Sequence, residues 1–273
     1  MIDYNFNGST FKLKYPAIMG ILNLTPDSFS DGGEFDDPGM AVERANLMYE
    51  QGAQIIDLGG ESTRPGSEPV SEQEELARVL PVLERLPKDR FIISLDTTKP
   101  ALAQAGLQAG VHIINDISGG DPELLDLAER YGAGFVLMHS QGIPKTMQVD
   151  PSYNDVVQEV QNFFNQKKDD LLQRSLPRVW IDPGIGFGKS LEHNLDLMRN
   201  LSKLGDEAWG LLLGSSRKSW IGQLCEAPDP SDRVSGSIVS ALASISRGVE
   251  IVRVHDVAET HQAISVAKEL ALF

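Results

Sequence analysis

Polar side chains recur at the ends of apolar runs along this chain. Eight short runs rich in branched aliphatic residues each end in, or are followed at once by, a group that could bind or react: Asn23, Asp57, Asp96, Asn115, His139, Asp182, Ser215 with Ser216, and His255. Any one of these could simply cap a following helix. Helix capping does not explain why a polar group stands at the same end of all eight runs, so the regularity predicts one shared site.

Three of these groups, Asp96, Asn115 and Asp182, suit a neutral, planar heterocycle that carries several N–H donors. A carboxylate accepts two N–H bonds, and an amide donates one bond and accepts another. Buried carboxylates without a ligand or solvent partner are costly. A transition-metal site built from the same residues is less consistent with the sequence, because no histidine accompanies them.

The basic candidates come late in the chain. Ser216, Arg217 and Lys218 follow the seventh run, and Arg253 and His255 belong to the eighth. Side chains alternate along a strand, which puts Arg253 and His255 on one face. A core histidine usually only satisfies a backbone group, but beside Arg253 it is better interpreted as part of an anion site.

A long segment, residues 22–33, follows the first run with the sequence LNLTPDSFSDGG. Its length and its content of Pro, Asp, Ser and Gly predict a functional loop. Asn23 offers a carbonyl oxygen that suits a hard cation such as Mg²⁺. Asp27 and Asp31, taken alone, are also consistent with turn chemistry.

A second segment, GGESTRPGSEPV, follows the second run and carries Thr63 and Arg64 before Pro65 and Gly66. An arginine on a Gly- and Pro-rich loop suits a phosphate or carboxylate oxygen. The alternative is a solvated surface arginine. Further on, Ser71 and Glu74 have the spacing of a capping box that opens a helix.

The segment DPGIGFGK, residues 182–189, is only superficially like a nucleotide-binding loop, because neither the Walker spacing nor GxGxxG fits. Its glycines are better explained by tight turns that let Phe187 wall a pocket. His139 is predicted to pack near the site, and Cys225 to pack within WIGQLCE. No Ser/His/Asp or Cys/His nucleophile set stands out.

The apolar runs predict eight strands, at residues 17–23, 54–58, 91–96, 112–117, 135–139, 179–182, 210–214 and 251–255. Amphipathic helical patterns alternate with them, and no linker divides the chain. This is the pattern of an α/β protein, a single (β/α)8 barrel domain over residues 1–273, whose strand ends would converge on one mouth. An open doubly wound sheet is the alternative. Residues 2–15, around Asn7 and Gly8, predict a hairpin that plugs the other end of the barrel.

Composition excludes several partners. The net charge of -15 argues against nucleic acid and anionic membranes, which need basic faces. The start of the chain lacks the pattern of a signal peptide, and no apolar run approaches the length of a membrane span. With Cys225 as the only cysteine, a cytoplasmic location is predicted.

The motifs together resemble those of the dihydropteroate synthase family. Eight motifs stand in the order found in that family, from about Ile18 to Val257. They are MGILNLTPDSFSDGG, IIDLGGESTRPG, SLDT, INDI, LMHSQGIPKTMQ, IDPGIGFGK, LGSSRKS and VRVHD. The resemblance implies an enzyme that joins p-aminobenzoate to a pterin diphosphate with Mg²⁺. It also implies a homodimer and, because STRPG is intact, sensitivity to sulfonamide inhibitors.

The resemblance also implies roles for individual residues. The pterin edge would be bound by Asp96, Asn115, Asp182 and Lys218, its faces by Met138 and Arg253, with Phe187 at the border. The diphosphate would be held by Asn23 with Mg²⁺, Arg64, Arg253 and His255. The aminobenzoate would be framed by Phe29, Thr63, Pro65, Ser216 and Lys218. The residues expected to act on the reacting centre are Asp31, Asp96, Lys218 and Arg253.

Two rival interpretations make different predictions about the same motifs. A corrinoid-type pterin methyltransferase would share the barrel and the pterin carboxylates but lack the aminobenzoate loops and the SRKS block. A catalytically silent pterin-binding relative would be expected to have lost Arg64, Lys218 or a loop. The chain retains all of these features.

Overall fold

The computed structural model describes residues 1–25, 38–62, 66–142, 145–206 and 208–273. Parallel strands form a closed barrel in which each strand pairs with the next in sequence and the last returns to the first. The barrel strands are β3 Ala17–Asn23, β4 Ile55–Gly59, β5 Ile92–Asp96, β6 Ile113–Asp116, β7 Gly134–Met138, β8 Val179–Asp182, β9 Gly210–Leu213 and β10 Ile251–Val254. The predicted (β/α)8 barrel is confirmed, and the doubly wound alternative is wrong.

Helices surround the barrel in alternation with the strands. They are α1 Pro38–Glu50, α2 Glu72–Arg85, α3 Pro100–Gln108, α4 Pro122–Tyr131, α5 Val156–Gln173, α6 Leu191–Arg199, α7 Ser219–Cys225, α8 Val234–Ile245 and α9 Val257–Glu269. In the described ranges, no helix is long and apolar enough to cross a membrane. The capping box at α2 is confirmed, since Ser71 Oγ accepts from Glu74 N and Glu74 Oε2 accepts from Ser71 N. The prediction that Cys225 packs is wrong: the last residue of α7 is exposed.

An antiparallel hairpin precedes the barrel. Strands β1 Ile2–Phe6 and β2 Ser9–Leu13 pair through a turn at Asn7 and Gly8, whose φ angles of 47° and 79° fit the turns that favour hairpins. Phe6 and Leu13 are fully buried among the lumen side chains. A Cβ at Gly134, the first residue of β7, would meet the Phe6 ring at 3.1 Å. The hairpin therefore closes the barrel at the amino-terminal ends of its strands, as predicted.

Alternation along the strands divides the interior into two apolar clusters. Side chains of one parity fill the lumen, for example Met19, Ile92 and Trp180, and those of the other parity pack under the helices. Because the lumen parity continues toward the carboxyl ends of the strands, the last inward positions are Asp96 on β5, after Ser94, and Asp182 on β8. The strand pattern thus aims these polar groups into the mouth.

Candidate active site

Four inward side chains meet across the mouth of the barrel. Arg253 Nε, on β10, lies 2.6 Å from Asp57 Oδ2 on β4, and Arg253 Nη2 lies 2.8 Å from Asp96 Oδ2 on β5. Asn115 Nδ2, on β6, donates to the same Asp57 oxygen at 3.0 Å. The structure therefore brings Asp96, Asn115 and Arg253 together, as the common strand ends predicted.

Burial raises the pKa values of the two carboxyl groups that end β5 and β8. Burial raises the pKa of Asp96 to about 7, against the opposing charge of Arg253, and the charges of Asp57 and Glu75 add to the rise. Burial also raises the pKa of Asp182, although Lys218 and the N–H of Gly184 oppose it. N–H donors from a ligand would stabilise both carboxylates, which makes them candidates for ligand recognition.

Lys218 lies between the carboxylates and the glycine-rich segment. Its Nζ donates to Ile185 O and stands 4.6 Å from the centroid of the Phe187 ring. Burial lowers the pKa of Lys218 to about 8, and the charge of Asp182 limits that fall. Near neutral pH the ammonium form still predominates, so Lys218 supplies a donor and a positive charge at this edge of the site.

Ser216 and His255 are joined at the ends of adjacent strands β9 and β10. Ser216 Oγ accepts from His255 N at 3.2 Å and lies 3.2 Å from His255 Nδ1. The pair stands at the same mouth as Arg253, two residues earlier on β10. The structure therefore agrees with the predicted clustering of these three groups at the ends of the last two strands.

Glycines of the segment after β8 allow it to pass close to the end of β7. Gly184 and Gly188 have positive φ, and a Cβ at either would lie 1.8 Å from His139 O or 2.1 Å from Gln141 O. This close approach accounts for the glycines, so no bound nucleotide is needed to explain them. It presents Phe187 at the border of a cavity of about 500 Å³ that Asp96 also lines. Met138 is buried at the inward end of β7, on the lumen parity of Val136.

His139 does not belong to the mouth. It lies one residue past Met138, so it has the opposite parity, and its ring packs edge-on against Phe163 with centroids 5.0 Å apart. Lys189 Nζ stands 3.0 Å from His139 Nδ1 and donates to Phe187 O. The expectation that every strand-end polar group shares one site is wrong for His139, and its interpretation as a packing residue is confirmed.

Asn23 is the candidate for holding a cation. It ends β3, and a Cβ at Gly59 would lie 3.8 Å from Asn23 Oδ1 and 3.7 Å from Asp96 Cβ, so the glycine leaves space between the two side chains. Within the ranges that the structure describes, no group of three or more His, Cys, Asp or Glu side chains could hold a metal ion. One amide oxygen fits Mg²⁺ that is bound mainly by phosphate and water oxygens.

Some predicted site residues lie outside the described ranges. They are Phe29 and Asp31 of the first long segment, and Thr63, Arg64 and Pro65 of the second. Their roles stay predictions from the resemblance. Conversely, sequence reasoning gave no role to Asp57, although it noted this residue among the strand ends, and gave none to the pair Lys99–Glu75 beside the cavity. The inward parity of IIDLG was the available signal for Asp57.

Comparison with known proteins agrees with this geometry. A family model described as pterin binding enzyme matches residues 19–255. The dihydropteroate synthase of Escherichia coli strain K12 is 46% identical over 265 residues, which are 96% of this chain and 94% of that protein. Among solved structures, Yersinia pestis dihydropteroate synthase in a sulfonamide drug complex matches with a TM-score of 0.88 and 42% identity over 99% of both chains. Xanthomonas albilineans dihydropteroate synthase with 4-aminobenzoic acid matches with a TM-score of 0.91 and 39% identity over 98% of both chains.

A closed (β/α)8 barrel with a carboxylate-lined mouth, matched by the family model over most of its length, defines the class. The chain belongs to the pterin binding enzyme family. Within that family, its 46% sequence identity to the Escherichia coli enzyme over nearly the full length of both chains places it among the dihydropteroate synthases.

Proposed function

We propose that the chain condenses 6-hydroxymethyl-7,8-dihydropterin diphosphate with p-aminobenzoate to give 7,8-dihydropteroate and diphosphate, a transferase step of folate biosynthesis. The observation that carries the proposal is the network at the mouth, where Arg253 spans Asp57 and Asp96, Asn115 donates to Asp57, and Asp182 ends β8. This network offers acceptors for a heterocycle and a cation for its leaving group. The family match and the relatives support the same reaction.

The pterin ring would be recognised through its N–H edge. Asp182 and Asp96 accept N–H bonds, and Asn115 can both donate and accept. In the structure Arg253 occupies one oxygen of Asp96. A ring that binds there takes over this hydrogen bond, which frees the guanidinium to stack on one ring face and to reach the diphosphate, with Met138 at the other face.

The reaction needs charge stabilisation and no covalent nucleophile. The C–O bond to the diphosphate breaks, leaving a pterin methylene cation, and the aniline nitrogen attacks this carbon and loses one proton. Arg253 and His255 stabilise the negative charge of the departing diphosphate, and Asp96 and Asp31 favour the cation. Holding both substrates together removes much of the entropic barrier to their reaction.

Mg²⁺ is the proposed cofactor. Asn23 would hold it together with diphosphate oxygens and water, and the bound ion would neutralise part of the diphosphate charge. The donor set supports the choice, because Mg²⁺ commonly uses one or two protein oxygens beside substrate phosphates. Arg64 would contact the same diphosphate from the second long segment.

The aminobenzoate is proposed to lie outward from the pterin, framed by Ser216, Lys218 and Phe187. Phe29, Thr63 and Pro65 would complete its site. A sulfonamide would compete for this position, since it matches the acid in its aromatic amine and its oxygen acceptors. The Yersinia pestis relative in its sulfonamide drug complex supports sulfonamide binding by this chain.

A coupled assay tests the function directly. The chain is incubated with pterin diphosphate, aminobenzoate and Mg²⁺, with pyrophosphate release followed continuously and 7,8-dihydropteroate identified by mass. We expect both products in equal amounts, dependent on all three additions, and loss of turnover with excess EDTA that added Mg²⁺ restores. Pyrophosphate release without the aminobenzoate adduct would contradict the proposal.

We also propose a homodimer in the cytoplasm. Helices α7 and α8 pack against each other, and each carries an exposed aliphatic side chain, Leu224 and Val239. A partner subunit covering both would remove apolar surface from water. Light scattering at micromolar concentration checks the assembly, and a monomer mass would contradict it. Cell fractionation checks the location.

A further inference from the structure

Asp57 lies one layer beneath the groups assigned to the pterin ring. On β4 it stands two residues before Gly59, which is in register with Asp96 on β5, and Asp96 is in register with Asn115 on β6. Inward side chains recur at every second residue of a strand, so Asp57 belongs to the next layer toward the amino-terminal ends of the strands. Its side chain is fully buried and offers no surface to a ligand in the mouth.

Two donors from different strands meet at a single oxygen of Asp57. Oδ2 accepts from Arg253 Nε at 2.6 Å and from Asn115 Nδ2 at 3.0 Å. The other oxygen, Oδ1, is buried, and no protein atom of the described ranges hydrogen-bonds to it. A carboxylate that served only to strengthen the barrel would be expected to use both oxygens, because a buried polar atom without a partner is costly. The contacts of Asp57 are directed to two side chains that reach the mouth.

The bond to Asn115 fixes which way its amide faces. A carboxylate paired with an arginine accepts hydrogen bonds and donates none, so the amide atom 3.0 Å from Asp57 Oδ2 must be the nitrogen. The oxygen of an amide lies on the other side of its carbon, so Asn115 Oδ1 is turned away from Asp57. Asn115 therefore meets the mouth as an acceptor, which suits an N–H edge. Without Asp57 the amide could turn round and present a donor.

The bond to Arg253 holds one end of a guanidinium group that changes partners. Arg253 Nη2 donates to Asp96 Oδ2 at 2.8 Å, and a pterin bound at Asp96 takes over that oxygen. Asp57 lies in the layer beneath, so its bond to Nε is kept. Because the guanidinium is planar, this bond limits the directions that the two Nη groups can take. An arginine held in this way loses less conformational freedom when it meets the diphosphate.

We propose that Asp57 is a positioning residue for pterin diphosphate: its Oδ2 sets the Asn115 amide to accept from the ring and holds the Arg253 guanidinium in place for the diphosphate. The inference deepens the proposed function and rests on it, because that function assigns Asn115 to the ring edge and Arg253 to the ring face and the leaving group. Asp57 itself touches neither. It supplies one accepting oxygen beneath the site, so the presence of that oxygen decides the effect of a substitution.

Two substitutions of Asp57 separate the accepting oxygen from the charge. Asp57→Asn keeps the shape and can place its amide oxygen where Oδ2 was, so both donors keep an acceptor while the charge is lost. Asp57→Leu keeps a similar volume and removes the acceptor as well as the charge.

Glu250 provides the matched control. Its carboxylate also joins an arginine to a neutral donor, since it accepts from Arg178 Nη2 at 3.0 Å and from Trp180 Nε1 at 3.0 Å. It directly precedes β10, at the opposite end of the barrel. Glu250→Gln and Glu250→Leu therefore repeat the two changes away from the mouth.

Calorimetry measures the Kd of hydroxymethylpterin and of pterin diphosphate for the parent and each variant. We expect Asp57→Leu to raise the Kd of hydroxymethylpterin about tenfold, because it leaves a donor without a partner and lets the Asn115 amide turn. The Kd of pterin diphosphate should rise about tenfold more than that, through Arg253. Asp57→Asn should keep the Kd of hydroxymethylpterin within about threefold of the parent. Both Glu250 variants should leave the two Kd values unchanged.

Two results of the calorimetry would overturn the proposal. Equal losses of affinity in Asp57→Asn and Asp57→Leu would mean that the charge of Asp57 matters and its accepting oxygen does not. A lower melting temperature in Asp57→Leu with unchanged Kd values would show that Asp57 only stabilises the barrel.

Nuclear magnetic resonance of the protein without ligands separates this inference from the proposed function. The Arg253 Nε–H and Asn115 side-chain amide protons, assigned with Arg253→Lys and Asn115→Asp, should exchange slowly with water in the parent and in Asp57→Asn, and fast in Asp57→Leu. If the parent formed no dihydropteroate, the proposed function would fail, and these signals would still decide whether Asp57 holds the two groups. Fast exchange in the parent overturns the proposal even if Asp57→Leu does not fold.

Discussion

Replacing Asp182 with asparagine turns one hydrogen-bond acceptor into a donor without changing the shape of the side chain. Asp182 is buried, and its Oδ1 accepts from Gly184 N at 2.7 Å. An asparagine that keeps this bond must turn its NH₂ group to the position of Oδ2. If the pterin presents N–H donors there, as proposed, donor then faces donor.

The cost follows from two contributions that overlap. A buried donor left without a partner costs about 1–3 kcal/mol, and a hydrogen bond to a charged group contributes about 1.5–3 kcal/mol. Since both describe the same contact, we expect a total of about 2–4 kcal/mol. This range corresponds to a rise in Kd of about 30- to 700-fold.

Calorimetry with pterin diphosphate measures that rise directly. Asp206→Asn serves as the control, because Asp206 also accepts a backbone N–H, from Ala208, but pairs with Lys168 away from the barrel mouth. The Asp182 variant should keep its KM for aminobenzoate within about threefold of the parent. Pterin affinity within about twofold of the parent would refute the assignment of Asp182 to the ring edge.

Three further predictions concern the same mouth. Arg253→Ala should weaken the binding of pterin diphosphate by at least about tenfold more than the binding of hydroxymethylpterin, since it removes a charge contact as well as a stacking face. Equal losses of affinity in calorimetry would mean that Arg253 does not touch the diphosphate. Pterin affinity should rise from about pH 6 to about pH 8, because Asp96 must ionise to accept two N–H bonds and its pKa is raised to about 7. Asp96→Asn should remove that rise, and its persistence in titrations of the variant would point to another group. Aminobenzoate should bind measurably only with pyrophosphate and Mg²⁺ present, since a small aromatic acid offers little contact energy by itself; binding of equal strength to the empty enzyme would exclude this order.

The barrel was predictable because a local sequence pattern specifies each of its strands. Each is a short apolar run between helical patterns, and the observed strand ends differ from those predicted by at most one residue. Alternation within a run also carried functional information, since it placed Arg253 on the lumen side. The same rule applied to Met138 shows why His139 faces away: adjacent residues of a strand point to opposite faces.

Other parts of the site depend on contacts that no local pattern encodes. Asp57 and Arg253 are separated by 196 residues and meet only because the barrel closes between β10 and β3. Lys99 reaches Glu75 and Glu61 across 24 and 38 residues. A lysine that precedes a proline at the start of a helix gives no local sequence signal of such partners, so these bonds are seen only in the folded chain.

The hairpin at the amino end bears on the order in which the chain assembles. Asn7 donates to Leu107 O and Val111 O, at separations of 100 and 104 residues, and Phe6 packs against Trp180 with ring centroids 6.1 Å apart. During synthesis the hairpin emerges well before the surfaces that receive it. Contacts between distant parts of a sequence slow folding, because a long loop must close before they form. The hairpin residues, translated before their partners, are therefore among the last to reach their native environment.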